Sequence, residues 1–382
     1  MIQSGKICLI DERGKDMCNK KQVYSDGTVE DKIVFHLRSK GLYENEELED
    51  GAIFHNFTPC RENLLNWYPF KKDASLLEIG AGMGALTGLF CRMCGKVVAL
   101  EQSPKRAEII TARYPNTPNL EVVCGDIYEY NFAEKFDYVV CAGVLEYAGV
   151  GNDVPKPHQK MLNQISKLLK ADGKLLLAIE NRFGLKYWCG ASEDHTGIPF
   201  DGIAGYVSDG YTTLYKENGV RTFGKAALEQ LLNNAGFKEK RWYYPLPDYK
   251  FPAVFFSDEK LPTMSDIGSV KFTYPIESEL VADERSLYKD IIENNVFPFF
   301  ANSFLVEAGK SGLDEMYIKY ASFKRDYKDE FRISIELDSE NHYIRSAIDP
   351  KAQKHLQELA ENTEELKKRG IEVTDIEQKN VK

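Results

Sequence analysis

Residues 76–87 read LLEIGAGMGALT: four residues of buried-strand character, a turn with glycine at 80, 82 and 84, then the start of a helix. Glycine at those places lets the backbone turn tightly and approach a ligand at the helix N-terminus, where unpaired N–H groups attract polar and anionic atoms. The same pattern fits a dinucleotide-binding fingerprint, so the turn alone does not choose among nucleotide ligands.

Outward from that turn, strand and helix alternate. Residues 97–100 read as a second strand, 104–114 as a helix with proline in its first turn, 120–124 and 136–141 as two further strands. Residues 158–170 carry Met161, Leu162, Ile165, Leu168 and Leu169 at helical spacing, and 174–179 is a fifth strand. This order predicts βαβ units and an α/β fold with a doubly wound, mostly parallel sheet. Ligands of such sheets sit at the carboxyl ends of the strands. There the chain places Glu101, about 20 residues past the glycine turn and able to accept from ribose hydroxyls. Asp126 and Ile127 follow the third strand, and Ala142 and Gly143 the fourth.

The remainder divides around that core. Residues 1–55 read as an N-terminal extension, with a strand-like patch at 32–37 and an acidic run at 43–50; residues 60–70 read as a short helix. Residues 56–309 form the main domain, with an insertion at about 258–300. Within it, 180–221 is a long loop rich in Gly, Asp and Tyr, and a loop of that length is usually functional. Thr222 is expected to cap a helix at 226–234; 238–244 and 253–256 look extended, and 302–308 is a late strand that completes the sheet. Residues 310–382 read as a small α+β C-terminal element, three antiparallel strand-like segments and a charged helix at 350–369, offering a docking surface for a protein partner.

Of the 382 residues 43% are hydrophobic, ample for a large core, while 49 basic against 59 acidic residues leave a net charge of −10. That balance weighs against nucleic acid as a partner, because phosphate neutralisation needs clustered Lys and Arg. No apolar run suits a signal peptide or a membrane span, so a cytoplasmic protein is expected. The eight cysteines are scattered and do not read as a disulfide framework; Cys91 and Cys94 lack a second pair and read as core.

Taken together, LLEIGAGMGALT, VVALEQS, EVVCGDI and FDYVVCAGVLEY resemble the class I S-adenosylmethionine-dependent methyltransferases, over about residues 60–245 and on to 309. The resemblance implies a seven-stranded Rossmann-like sheet and S-adenosylmethionine as cofactor. It implies Glu78, Gly80, Gly82 and Gly84 against the methionine part, Glu101 on the ribose, Asp126 on the adenine amino group and Ile127 on the ring, with Ala142 and Gly143 alongside. The opening is also similar to the ribosomal RNA adenine dimethylases. Those carry an Asn-Leu-Pro-Tyr type motif where this chain has Ala142-Gly143-Val144-Leu145, a departure that, with the charge, weighs against RNA base methylation.

The segments ENRFGLKYWCGASEDHTG (180–197) and PLPDYKFP (245–252) resemble methyltransferases encoded with cell-surface polysaccharide machinery. They imply methyl transfer to a hydroxyl of a glycan or glycan precursor. A quinone-like or other small-molecule acceptor, and a non-catalytic cofactor-binding partner subunit, are the alternatives. Methyl transfer from a sulfonium is an in-line displacement that mainly needs positioning, whereas a sugar hydroxyl needs a base or a metal to take its proton. His195 is the expected general base, oriented by Glu193 or Asp194, with His158 as the second candidate. Asn181, Arg182 and Lys186 are expected on an anionic group such as a phosphorylated glycan, and Tyr206, with Tyr211 and Tyr215, on the sugar. A divalent metal on Glu180, Asp194 and His195 is a further candidate cofactor, although their spacing matches no strong metal motif.

Overall fold

The computed structural model describes residues 28–43, 51–150, 154–206, 219–268, 270–272, 280–323, 328–374 and 376–379. Five strands form the parallel heart of the sheet: β1 (Ser75–Ile79), β2 (Lys96–Glu101), β3 (Leu120–Cys124), β4 (Phe136–Ala142) and β5 (Leu169–Glu180). All five residues of β1 are buried, as expected of a strand covered on both faces. Alternate side chains enter opposite halves of the core: Leu77, Val139 and Leu177 join one cluster, Leu76, Val140 and Leu176 the other.

The later strands are β6 (Glu239–Leu246), β7 (Val254–Ser257), β8 (Ser303–Gly309), β9 (Ile318–Phe323), β10 (Ile333–Asp338), β11 (Tyr343–Ala347) and β12 (Ile376–Lys379). β8 slots antiparallel between β5 and β6, as expected of the late strand. The expected seven-stranded, mostly parallel sheet is corrected here: the described residues build one mixed sheet of 12 strands, ordered β12-β11-β10-β9-β7-β6-β8-β5-β4-β1-β2-β3. The reason is the open edge of β7. Its backbone pairs with β9 through Val254 with Ser322 and Phe255 with Ala321, while Ile318, Ala321 and Phe323 bury against Phe255. The C-terminal strands thereby continue the sheet.

Other local readings change. The patch at 32–37 lies in a helix, Thr28–Ser39, because Ile33, Val34 and Leu37 share one helical face and pack with Phe57, Met83 and Ile109. Residues 60–70 form a 3-10 turn, Pro59–Leu64, followed by buried Trp67, Tyr68 and Phe70. The helix Lys225–Asn234 is capped by Gly224, not Thr222, whose hydroxyl pairs with Tyr206 at 2.6 Å. The described part of the 180–221 loop contains two short helical turns, Leu185–Trp188 and Asp201–Ala204; Tyr211 and Tyr215, like the acidic residues 44–50, lie outside the described residues. Among the described residues no helix is long and apolar enough to cross a membrane.

Candidate functional site

The glycine turn after β1 has Gly80, Gly82 and Gly84 at φ of +64°, +58° and +79°, conformations that favour glycine. A Cβ at Gly80 would lie 2.5 Å from Val144, whereas a Cβ at Gly82 would meet no atom within 4 Å. The turn is therefore closed on its β4 side and open at its crest. Glu101 straddles it, accepting N–H bonds from Gly82 at 2.8 Å and Ser103 at 2.9 Å. Burial raises the Glu101 carboxyl above its usual range. Glu78 is buried beneath and accepts the Thr87 hydroxyl at 2.6 Å; burial pushes it up to about 8. Beside β3, Asp126 accepts from the Tyr128 N–H at 2.8 Å and the Gln102 amide at 2.9 Å, while Ile127 is buried. Ala142 is half-buried at the end of β4, and a Cβ on Gly143 would lie 2.6 Å from the Tyr249 hydroxyl. An open cradle at Gly82, with Glu78 near the end of β1, Glu101 at the end of β2 and Asp126 just past β3, fits a nucleoside-bearing cofactor.

Beyond Gly143 the chemistry changes. Glu146, just past β4, and Glu180, the last residue of β5, are 1% and 0% exposed. The loop after β5 brings His195 to them: Nε2 lies 3.8 Å from Glu146 Oε1, and Nδ1 lies 2.9 Å from Glu193 Oε1. Glu193 also accepts the His195 and Thr196 N–H groups at 2.7 Å each and has the Tyr206 hydroxyl at 3.2 Å. Alongside, Lys250 binds Glu180 at 2.6 Å and Asp194 at 3.3 Å, and Lys186 binds Asp194 at 2.8 Å. Burial alone would raise Asp194, but Lys186 and Lys250 hold it well below the carboxylate range. Burial likewise pulls His195 down, yet Glu146 and Glu193 outweigh it and push the imidazole up to about 10.

These contacts revise the expected roles. Glu146 and Glu193 thus favour the protonated imidazole, and Glu193, which holds Nδ1, orients the ring, whereas Asp194 is turned to Lys186 and Lys250. Asn181 is turned away, donating to the Phe299 and Ala301 carbonyls at 2.7 Å each, and Arg182 is spent on the Gly202 and Ile203 carbonyls. Both tie the loop down. Lys186 is 1% exposed within its ion pair. Tyr206 joins Glu193 to Thr222, and His158 is buried against Phe223. Burial pushes the thiols of Cys91 and Cys94 up to about 12, as suits packing residues. Sequence reasoning missed the places of Glu146, Tyr249 and Lys250. Glu146 follows a parallel strand directly, and Asp248-Tyr249-Lys250 is a polar island between Pro247 and Pro252, the only local signals for them.

The glycine turn and the acidic residues at the ends of β1, β2 and β3 are arranged as a nucleoside-bearing cofactor requires. Residues 77–177 match the family model described as a methyltransferase domain, whose cofactor is S-adenosylmethionine. The chain is 31% identical over 102 residues to the ribosomal RNA small subunit methyltransferase A of Geobacter metallireducens, covering 27% of this chain and 36% of that protein. It is 30% identical over 136 residues to an uncharacterized methyltransferase of Staphylococcus carnosus, covering 35% and 58%. It thus spans less than two thirds of these curated relatives. A crystal structure of a SAM-dependent methyltransferase from Archaeoglobus fulgidus superposes with a TM-score of 0.37 at 15% identity, covering 63% of this chain and 87% of that one. The relatives named for ribosomal RNA overturn the expectation that nucleic acid is an unlikely partner class. Net charge averages the whole surface, and a local basic face is invisible to it.

Proposed function

We propose that the chain transfers a methyl group from S-adenosylmethionine to a hydroxyl of a glycan or glycan precursor. The observation that carries this reading is the buried polar cluster at the ends of β4 and β5, beside the cofactor turn. Burying charge is costly unless partners are supplied, and both Glu146 oxygens lack a hydrogen-bond partner among the described residues. A polyhydroxylated acceptor brings the missing donors; an apolar quinone-like ring does not. The similarity of 180–197 and 245–252 to polysaccharide-associated methyltransferases favours the same acceptor class.

When bound, the cofactor supplies an electrophilic methyl group on a sulfonium. The chain's own residues position and deprotonate. The glycine turn, Glu101 and Asp126 hold the nucleoside, and Tyr249 against Gly143 forms the wall between the two halves. Glu146 accepts the hydroxyl proton as the oxygen attacks, leaving a methyl ether and a neutral thioether. Lys186 and Lys250 hold Asp194 and Glu180 in place through their ion pairs, and Glu193 fixes the His195 ring.

A second reading, an RNA acceptor, is favoured by the ribosomal RNA methyltransferases that the cofactor half matches. Methyl-labelled S-adenosylmethionine incubated with the chain and either lipid- or nucleotide-linked sugars or ribosomal RNA separates them. Label in the sugar is expected. Label in RNA replaces the first reading with the second, and a chain that binds cofactor but labels neither class contradicts both.

A further inference from the structure

We infer that Glu146, Glu180 and His195 form a divalent-cation site that holds and activates the acceptor hydroxyl. As an acceptor-activating site it rests on the methyltransferase reading above. One ligand atom from each of the three lies within 4.8 Å of the others. Ligands of one ion, at bond lengths of about 2.1–2.4 Å, stand about 3–4.8 Å apart, so the spacing suits a single cation with modest closure. Glu146 and Glu180 are almost wholly buried, and Glu146 has no hydrogen-bond partner among the described residues.

The neighbouring charges point the same way. Lys186 and Lys250 offset Asp194 and Glu180. Glu146 and Glu193 are left with His195 between them. Two carboxylates facing one imidazole favour a positive charge on it, and a cation at Nε2 takes the place of the proton they would otherwise hold there. Glu193 already holds Nδ1 at 2.9 Å, the outer partner that fixes the tautomer and orientation of a ligating histidine. Asp194, expected as a ligand, is held away by its two lysines, and Glu146 takes its place. Mixed imidazole and carboxylate donors suit Mn²⁺, and three protein ligands leave positions open for an alcohol. An alcohol bound there loses its proton to Glu146 or to solvent more readily, because the cation stabilises the alkoxide.

The test uses the full chain, stripped with chelator and titrated with MnCl₂ while the signal of free Mn²⁺ is followed by electron paramagnetic resonance. One bound ion per chain is expected, with affinity falling roughly 100-fold or more in Glu146→Gln and His195→Gln. Calorimetry with S-adenosylhomocysteine shows that each variant is folded. No Mn²⁺ binding by the native chain, or native-like binding by both variants, overturns the site. A chain that binds Mn²⁺ but no S-adenosylhomocysteine keeps the ion site and loses the methyltransferase reading. The opposite pattern keeps the methyltransferase reading and loses the ion site.

Discussion

The two sides of Gly143 are built on different principles. On the cofactor side, Glu101 and Asp126 are held chiefly by backbone from the same turn or a neighbouring strand end: Glu101 by Gly82 and Ser103, Asp126 by Tyr128, with the Gln102 amide on Asp126 and the Thr87 hydroxyl on Glu78 as side-chain additions. On the acceptor side, side chains from four distant segments, Glu146, Glu180, residues 193–195 and residues 248–250, meet one another in a buried cluster. Backbone-held groups stay satisfied when one side chain is changed. Side-chain networks do not, so the acceptor side is the fragile one.

Breaking that comparison at its strongest point means removing a buried cation. Lys186→Met leaves Asp194 short of its nearest partner, and the expected loss is about 3–5 kcal/mol of unfolding free energy, read as the urea midpoint. A loss no larger than that of an ordinary surface substitution contradicts the fragile-cluster picture. Next comes Glu78, on the cofactor side. With its folded pKa near 8 against an ordinary value of 4.5, the folded chain holds a proton that the unfolded chain releases. Its contribution to stability is therefore full below about pH 4.5 and is lost as pH rises through 8. Glu78→Gln should flatten that part of the stability–pH profile and raise the melting temperature near pH 8. An unchanged profile shows that Glu78 is ionised in the fold.

A smaller effect is expected from Glu101→Gln, which keeps the shape and weakens acceptance from cofactor hydroxyls. Affinity for S-adenosylhomocysteine should fall by about 1.5–3 kcal/mol by calorimetry, with stability little changed. The smallest is Cys91→Ala. Its raised thiol has no chemistry to lose, so cofactor affinity and methyl transfer should match the native chain.

The same contrast explains what could be read from sequence. The parallel heart of the fold was legible because each strand is a short apolar run followed by its own turn chemistry, and Gly80, Gly82, Glu101 and Asp126 each lie within a few residues of a strand end. The acceptor cluster was half legible. His195 and Glu193 stood out as a local pair, yet Glu146, which faces Nε2 of His195, lies almost fifty residues earlier and meets it only in the fold. Asn181 and Arg182 were misread because a loop rich in hydrogen-bonding groups looks the same whether it binds a ligand or ties itself down. The 12-stranded sheet was missed for a related reason: the pairing of β7 with β9 depends on backbone edges, which leave no mark in side-chain pattern.

The most direct measurement is a calorimetric titration of S-adenosylhomocysteine into the native chain, Asp126→Ala and His195→Gln. The division at Gly143 predicts binding by the native chain, near-native affinity in His195→Gln, and affinity weakened roughly tenfold or more in Asp126→Ala. Absence of binding by the native chain, or equal losses in both variants, would contradict it.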